Sequence, residues 1–486
     1  MSGHSRNVIL YELNEVPWKI VDYYTERRPN SYLAEIVSRG QSITTRHDDS
    51  RYGLSPWRTW PSFHSSRYDH NSFDLGQDPT TFRGDLIWNV AEEAGLSVGL
   101  FGPLQSWPPR KFAHGGFYVP DTFSKDSQTV PDSVQHFQQF NLAMTRENGF
   151  SADAPLNGKT LLLAGADMAR KGLTIRSAAN MGVHLAQELK DRRYKARRPV
   201  MQALPSFDLY WRLHRTHQPR LSIFFTNHVA CMMHRYWGDC IPDYADIYQH
   251  SSDEVYRGFI MKAMDYTDRQ LRRIGEYMKT HPDTMLVVAS SMGQGPIEKS
   301  FETQDSGLFV LDDHQALVSR LALPRADKGL TMHPRVALVF EDKSSAESAV
   351  EPLESITAEG VGPLFKQVRL EGQTVTFAIT YSASHLDEAA AMATAMQYKK
   401  ASGNEVLTGT AKDFGLSFRP RLGGANTAYH IPEGILIADG PGVSPDQSRK
   451  EVDVLDVSPS LLANVLGIEP SPTMQGMPSL FSSLAR

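Results

Sequence analysis

Three short apolar runs each stop at polar or small residues, and this repetition constrains the fold more than any other feature. Val8-Ile9-Leu10-Tyr11 runs into Glu12-Leu13-Asn14-Glu15, Leu221–Thr226 into Asn227-His228, and Met285–Ser290 into Ser291-Met292-Gly293. Short runs of β-formers bounded in this way read as strands buried in a parallel sheet. In open α/β sheets, ligands sit beyond the carboxyl ends of such strands. Helical spacing fills the intervals. Asp85 to Ala94 stops at Gly95 and is followed by a strand at Ser97–Phe101, while Val255 to Met278 reads as a long amphipathic helix. Strand, helix and strand in that order imply right-handed crossovers. Gly434–Ala438 and a helix near Ser458–Val465 close the pattern, and Arg51 to Ser66, rich in Pro, Ser and Trp, reads as a loop.

Elsewhere the pattern changes. Phe112 to Phe150 is polar with little period, and Ala166 to Lys195 looks helical. The end of that helix carries Arg192, Arg193, Lys195, Arg197 and Arg198. The run reads either as a solvated helix end favoured by the dipole or as a site for an anionic substrate or lipid headgroup. Val336–Phe340, a helix near Ala346–Leu353, Thr374–Ile379 and a helix at Leu386–Tyr398 form a separate α+β unit. The expected division is therefore an α/β core over 1–335 and 416–486, with a largely helical insertion at about 110–215. An α+β insertion or cap covers 336–415. No internal repeat or low-complexity tract interrupts it.

Composition narrows the function classes. Fifty Lys and Arg against fifty-five Asp and Glu leave a net charge of −5, which disfavours nucleic acid as a partner. Cys231 and Cys240 are the only cysteines, too few for a disulfide framework or a four-Cys zinc site. No run of about 18 apolar residues could span a bilayer. The apolar run after the polar start is only Val8–Leu10, too short for a signal peptide. A cytoplasmic protein without a membrane partner is expected, and its oligomeric state is left open.

Several segments, in order, carry a resemblance. VILYELNEVPW looks like a first strand and metal loop, and Arg58-Thr59-Trp60-Pro61-Ser62 like a nucleophile turn. LIWNVAEEAGLSVGLFGPLQSWPP looks like the following helix and strand. FFTNHVACMMHRYW falls where Asp-x-x-x-His would stand, and VVASSMGQGP where Ser-Asp-His-Gly-x-Gly-Pro would stand. AYHIPEGILIADGPG and DVLDVSPSLLANVLGI match a late His segment and a final helix. Together they resemble the alkaline phosphatase superfamily, in particular its type I phosphodiesterase/nucleotide pyrophosphatase branch. The resemblance implies a three-layer sandwich around a mostly parallel sheet. It also implies phosphate-ester chemistry at two zinc-type ions, with a Thr or Ser hydroxyl as nucleophile.

The ligand positions depart from that family. One site would fall on Asn14, Ser291 and Met292, which offer neither carboxylate nor imidazole, and Met is a soft ligand ill-suited to a phosphate site. The other keeps His234 and His430 but has Ala230 at its Asp position. His228, His234 and His430 with water would make a single zinc-type site; otherwise these imidazoles bond substrate or backbone. One such ion, or none, is the expected cofactor content. Thr59 is the candidate nucleophile, with His228, His430 or a nearby Glu as base, or else it caps a helix. Arg58, Asn14, Glu15 and Asn227 are the candidate contacts to a small anionic substrate. His64 reads as structural. Trp57, Trp60, Trp107 and Trp237 lie near the motif loops and could cover a pocket.

Three functions fit. The first is a divergent phosphodiesterase- or phosphatase-like hydrolase or transferase with at most one metal ion. The second is a metal-independent acid–base or group-transfer enzyme using His228, His430, Glu12 and Glu15 in the same pocket. The third is a non-catalytic binding protein of the same fold.

Overall fold

A computed structural model describes residues 6–50, 53–70, 82, 84–148, 168, 170, 172–298, 307–329, 331, 335–359, 362–379, 382–383, 388–401, 403, 405–420 and 426–484. They divide into two units. The first comprises Met1–Met144, Leu156–Glu298 and Asn426–Arg486, and the second Lys299–Ala425 with Thr145–Pro155.

Alternation along the first strand sets the layers of the first unit. In β1 (Asn7–Leu13), Ile9, Tyr11 and Leu13 enter one apolar cluster while Val8 and Leu10 enter another. A strand buried on both faces needs cover on both, and helices supply it. On one side lie α1 (Trp18–Arg27) and α2 (Tyr32–Arg39). α3 (Pro56–Ser65) and α4 (Ile87–Glu93) lie on the other, with the closing helical turns at 457–466. α5 (Gln135–Asn148), α6 (Ile175–Lys190), α7 (Arg198–His217), α8 (His228–Cys240) and α9 (Phe259–Met278) complete the first side.

The remaining strands of this unit are β2 (Gln41–Arg46), β3 (Val98–Phe101), β4 (Gly116–Val119), β5 (Leu221–Thr226), β6 (Thr284–Ala289), β7 (Gly293–Pro296), β8 (Ala428–Ile431), β9 (Glu433–Asp439) and β10 (Glu451–Asp453). Eight strands form the central sheet in the order β10-β2-β9-β6-β1-β5-β3-β4. β5 and β6 run parallel to β1 on either side, β9 runs against its neighbours β6 and β2, and β7 pairs with β8 in a separate ribbon. The result is an α/β sandwich around a mostly parallel sheet.

The second unit holds its own core around Leu338, Leu353 and Phe377. Its antiparallel sheet runs Phe365–Glu371, Thr374–Ile379, Arg335–Phe340, Ala326–Lys328.

Several expectations change. Residues 56–65 form α3 rather than a loop: Pro56 sits at the start of the helix, where its missing N–H is harmless, and Pro61 is tolerated inside. Phe112–Phe150 contains β4 and α5, so β4 extends the main sheet instead of belonging to an insertion. The helix at Ala166–Lys195 is observed from Ile175 to Lys190, its start lying outside the described residues except 168 and 170, and α7 follows it. The α+β unit reaches beyond 336–415 because Gly307–Leu311 pairs with Leu416–Pro420. The helix expected at Leu386–Tyr398 is short, Glu388–Ala393, and gives way to a strand at Met396–Lys399; 386 and 387 lie outside the described residues. The basic run is paired within the chain: Arg193 bridges Asp191 and Asp253, and Arg198 holds Glu188.

Candidate functional site

β1 delivers two polar side chains where it leaves the sheet. Its alternation continues into Asn14, which therefore faces α3, and the next residue breaks the pattern. Glu15 has φ of 59°, a left-handed conformation uncommon for a side-chain-bearing residue. That turn carries its carboxylate toward α8 and β8. Asn14 Nδ2 donates to Glu15 Oε1 at 2.9 Å and to Asn227 Oδ1 at 2.7 Å. The indole N–H of Trp60 donates to Asn14 Oδ1 at 2.7 Å. Gln294 on β7 donates its amide to Glu15 Oε2. β7 also runs tight against the start of β9: a side chain at Gly293 would stand 2.2 Å from the Glu433 carbonyl, so only glycine fits.

Two imidazoles meet the same carboxylate oxygen. His234 Nε2 lies 3.0 Å from Glu15 Oε2 and His430 Nε2 lies 3.4 Å from it. The opposite nitrogens are fixed by the main chain. His234 Nδ1 faces the Ala428 carbonyl at 3.1 Å and His430 Nδ1 faces the Leu54 carbonyl at 3.0 Å. A carbonyl only accepts, so each Nδ1 carries a proton, and each neutral ring then turns its Nε2 lone pair inward. Backbone anchoring of this kind is how proteins orient metal-binding histidines.

Glu15, His234 and His430 thus present three ligand atoms within 4.8 Å of one another. Bonds of about 2.0–2.1 Å in a tetrahedral site put neighbouring ligand atoms about 3.3 Å apart, so the separations at Glu15 fit such an ion. Two nitrogens and one oxygen suit a borderline dication. Without an ion, protons must fill the same place. Burial by itself would raise the Glu15 pKa, but the charges and hydrogen bonds of His430 and His234 hold it well below the ordinary carboxylate value. Burial likewise opposes charge on His430, but Glu15 outweighs it and raises the His430 pKa.

Access is from the α8 and β8 side. Asn227 is exposed, His234 is half-buried, and the Tyr429 ring, itself exposed, stacks on His430 with centroids 4.4 Å apart. Asn14, Glu15, Asn227, His234 and His430 therefore form one contiguous network.

Other expected site residues lie elsewhere. His228 is buried, with Nδ1 2.7 Å from Thr226 Oγ1 and Nε2 3.1 Å from Thr267 Oγ1 and 3.2 Å from the Ala263 carbonyl. Both ring nitrogens are engaged by core partners, so His228 is neither a ligand nor a base at this cluster. Burial drives its pKa down to about 4. Thr59 also lies inside. It has no solvent exposure, and its hydroxyl shares a 2.8 Å hydrogen bond with that of Ser291, which is equally buried. A hydroxyl so enclosed is not presented at the open cluster, which sets Thr59 apart from its expected place as nucleophile. Arg58 is half-buried near the start of α3. Glu12 is fully buried against His64, with Glu12 Oε1 2.5 Å from His64 Nε2. Trp57, Trp60 and Trp237 belong to the core, and Trp107 bonds Asp126.

Sequence reasoning misses Gln294 as a support of Glu15, although the segment VVASSMGQGP contains it. Its signal is pairing: in the β7–β8 ribbon Gln294 stands opposite His430.

No protein-family profile matches the chain, and no curated protein does. Among solved structures it is similar to murine ectonucleotide pyrophosphatase/phosphodiesterase 5, with a TM-score of 0.39 and 12% identity over 99% of this chain and 100% of that one. An inactive variant of that murine protein in complex with AMP gives a TM-score of 0.38 and 13% identity over 99% of both chains. Likeness this loose fixes neither site nor activity. Among the described residues, no helix is long and apolar enough to cross a membrane.

Proposed function

We propose that this chain is a hydrolase or transferase acting on a small anionic ester at a single divalent ion held by Glu15, His234 and His430. A phosphate mono- or diester is the substrate class that its sequence resemblance implies. The observation that carries the reading is the pinning of both Nδ1 atoms by backbone carbonyls while both Nε2 atoms converge on one carboxylate oxygen. Three protein ligands leave a position free for substrate, as in catalytic rather than structural sites. A divalent ion bound there would polarise a phosphoryl oxygen as a Lewis acid.

The chain's own residues do the rest. Asn14 and Gln294 fix the orientation of Glu15, and Asn227 is the polar group assigned to the substrate anion. Compared with the family it resembles, the carboxylate has moved from the α8 position now held by Ala230 to the loop after β1. The second ion position has given way to Asn14, Ser291 and Met292.

Metal analysis of purified protein tests this, together with assays on an aryl phosphate and an aryl phosphodiester. We expect one zinc or manganese equivalent per chain, lost in Glu15→Gln and in His430→Ala, and turnover abolished by chelator and restored by the ion. Turnover that ignores chelators would instead favour a metal-free pair, with Glu15 and His430 as the acid–base couple. No binding and no turnover would leave a binding protein.

A further inference from the structure

The two imidazoles at Glu15 come from different elements, His234 from α8 and His430 from β8. Both rings can serve one ion only if those elements keep their spacing to about 0.5 Å. The residue at the join is Thr427, which immediately precedes β8 and is buried. Each of its hydrogen-bonding groups is engaged. Its N–H donates to the His234 carbonyl at 2.7 Å, and its carbonyl accepts from the Ile297 N–H at 3.0 Å. Its hydroxyl accepts from the Gly238 N–H at 3.0 Å and donates to the Arg235 carbonyl at 3.2 Å.

Three of these four contacts fall on one turn of α8, the turn that begins at His234. In a regular helix the N–H of Gly238 donates to the carbonyl of His234. Thr427 engages both ends of that link, with its hydroxyl at Gly238 and its main chain at His234. The next residue continues the join, because the Ala428 carbonyl faces His234 Nδ1 at 3.1 Å. His430 follows two residues later on the same strand. A displacement at Thr427 therefore moves the anchor of one ring and the strand that carries the other. Valine would fill the same space, but it would leave the Gly238 N–H and the Arg235 carbonyl without this partner.

We propose that Thr427 is a positioning residue for the ion site, and that its hydroxyl sets the spacing between His234 and His430. The proposal rests on the single-ion reading of Glu15, His234 and His430. Thr427 acts through the two histidines rather than by contact with the ion. Coupling of this kind is reciprocal. A join that favours ion binding is itself tightened by the ion.

Calorimetric titration with zinc compares the full-length wild type with three variants. Thr427→Val should weaken binding by about 10–100-fold, as for residues that orient ligands. Thr427→Ser should restore it. Ser222→Ala removes another buried hydroxyl, bonded to Tyr210 and His214, and should leave affinity unchanged. With cobalt in place of zinc, the visible absorption of Thr427→Val should differ in shape from that of the wild type, and that of Thr427→Ser should match it. Lost stability alone does not reshape that spectrum. Hydrogen exchange in the unaltered protein needs no variant to fold. Saturating zinc should slow the Gly238 amide more than the amides of β3, which supplies no residue to the cluster. Equal zinc affinity in the wild type and Thr427→Val would overturn the role of Thr427 and leave the ion site standing. Equal slowing of Gly238 and β3, or an equal loss of affinity in Thr427→Ser or Ser222→Ala, would do the same. A wild type that binds no zinc would overturn the ion site and the role of Thr427 with it.

Discussion

His228 and His234 stand six residues apart on one helix, yet they live in opposite chemistries. His228 is enclosed among Thr226, Thr267 and the Ala263 carbonyl, and burial pushes its pKa down to about 4. His234 points its Nε2 at a carboxylate and keeps a quarter of its side chain exposed. The same contrast divides the rim of the sheet. The half at Glu15 presents ligand atoms that converge. The half at Thr59, Ser291 and Met292 is closed, with its hydroxyls bonded to each other and no exposure. Polar residues at strand ends are thus of two kinds: those that saturate one another and those held in place for something else.

Acid should act most strongly on enclosed histidines such as His228. His47, His214 and His228 are all buried, and burial lowers each pKa to about 4. These folded values lie below the ordinary 6.5, so the unfolded chain takes up the protons first. Their contribution is complete above pH 6.5 and drains away as pH falls toward 4. Each group costs on the order of 2 kcal/mol by pH 5, and the three together steepen the loss to about 4 kcal/mol per pH unit. Urea unfolding at pH 7 and pH 5 measures this, and His228→Gln should remove about a third of the slope. An unchanged slope in that variant would erase the contrast between the two histidines.

Glu15→Gln addresses the second kind. It keeps shape but removes the charge that both imidazoles face. Divalent-ion affinity should fall more than about 100-fold, since even residues that merely orient ligands account for 10–100-fold. Calorimetric titration with zinc reads it directly. Equal affinity in the variant would dissolve the distinction between the open half and the closed one.

Trp60→Phe sits at the junction of the halves. Loss of the indole N–H leaves the buried Asn14 oxygen without its donor, which costs about 1–3 kcal/mol of stability. Asn14 would then hold Glu15 less firmly, and ion affinity should drop by about 10–100-fold. A stability loss with unchanged affinity would make Asn14 a purely structural neighbour.

Much of this architecture was legible in the chain because buried parallel strands are runs of β-formers with polar ends, and β1, β5 and β6 have that form. Two helices whose bounds local pattern does not give share a physical cause. α3 and α7 each carry an internal proline, Pro61 and Pro205, which reads as a break although the surrounding packing tolerates it. His234 and His430 could be found from their place in recognisable segments. The sequence makes Glu15 a candidate substrate contact, but its part in the cluster depends on a left-handed backbone turn that no residue type announces. Gln294 depends on the β7–β8 register, a long-range pairing invisible to local pattern.

The smallest expected effect carries the sharpest distinction. Thr59→Val removes a hydroxyl that, among the described residues, meets Ser291. If the closed half is structural, stability should fall by about 0.5–1.5 kcal/mol and turnover on an aryl phosphodiester by less than about tenfold. Thr59→Ser keeps the hydroxyl and should restore both. A nucleophile behaves differently: its removal costs orders of magnitude in rate whatever happens to stability. A collapse of turnover in Thr59→Val at normal zinc affinity would mean that the interior opens during the reaction, and the half described as closed would then be the one where bonds are made.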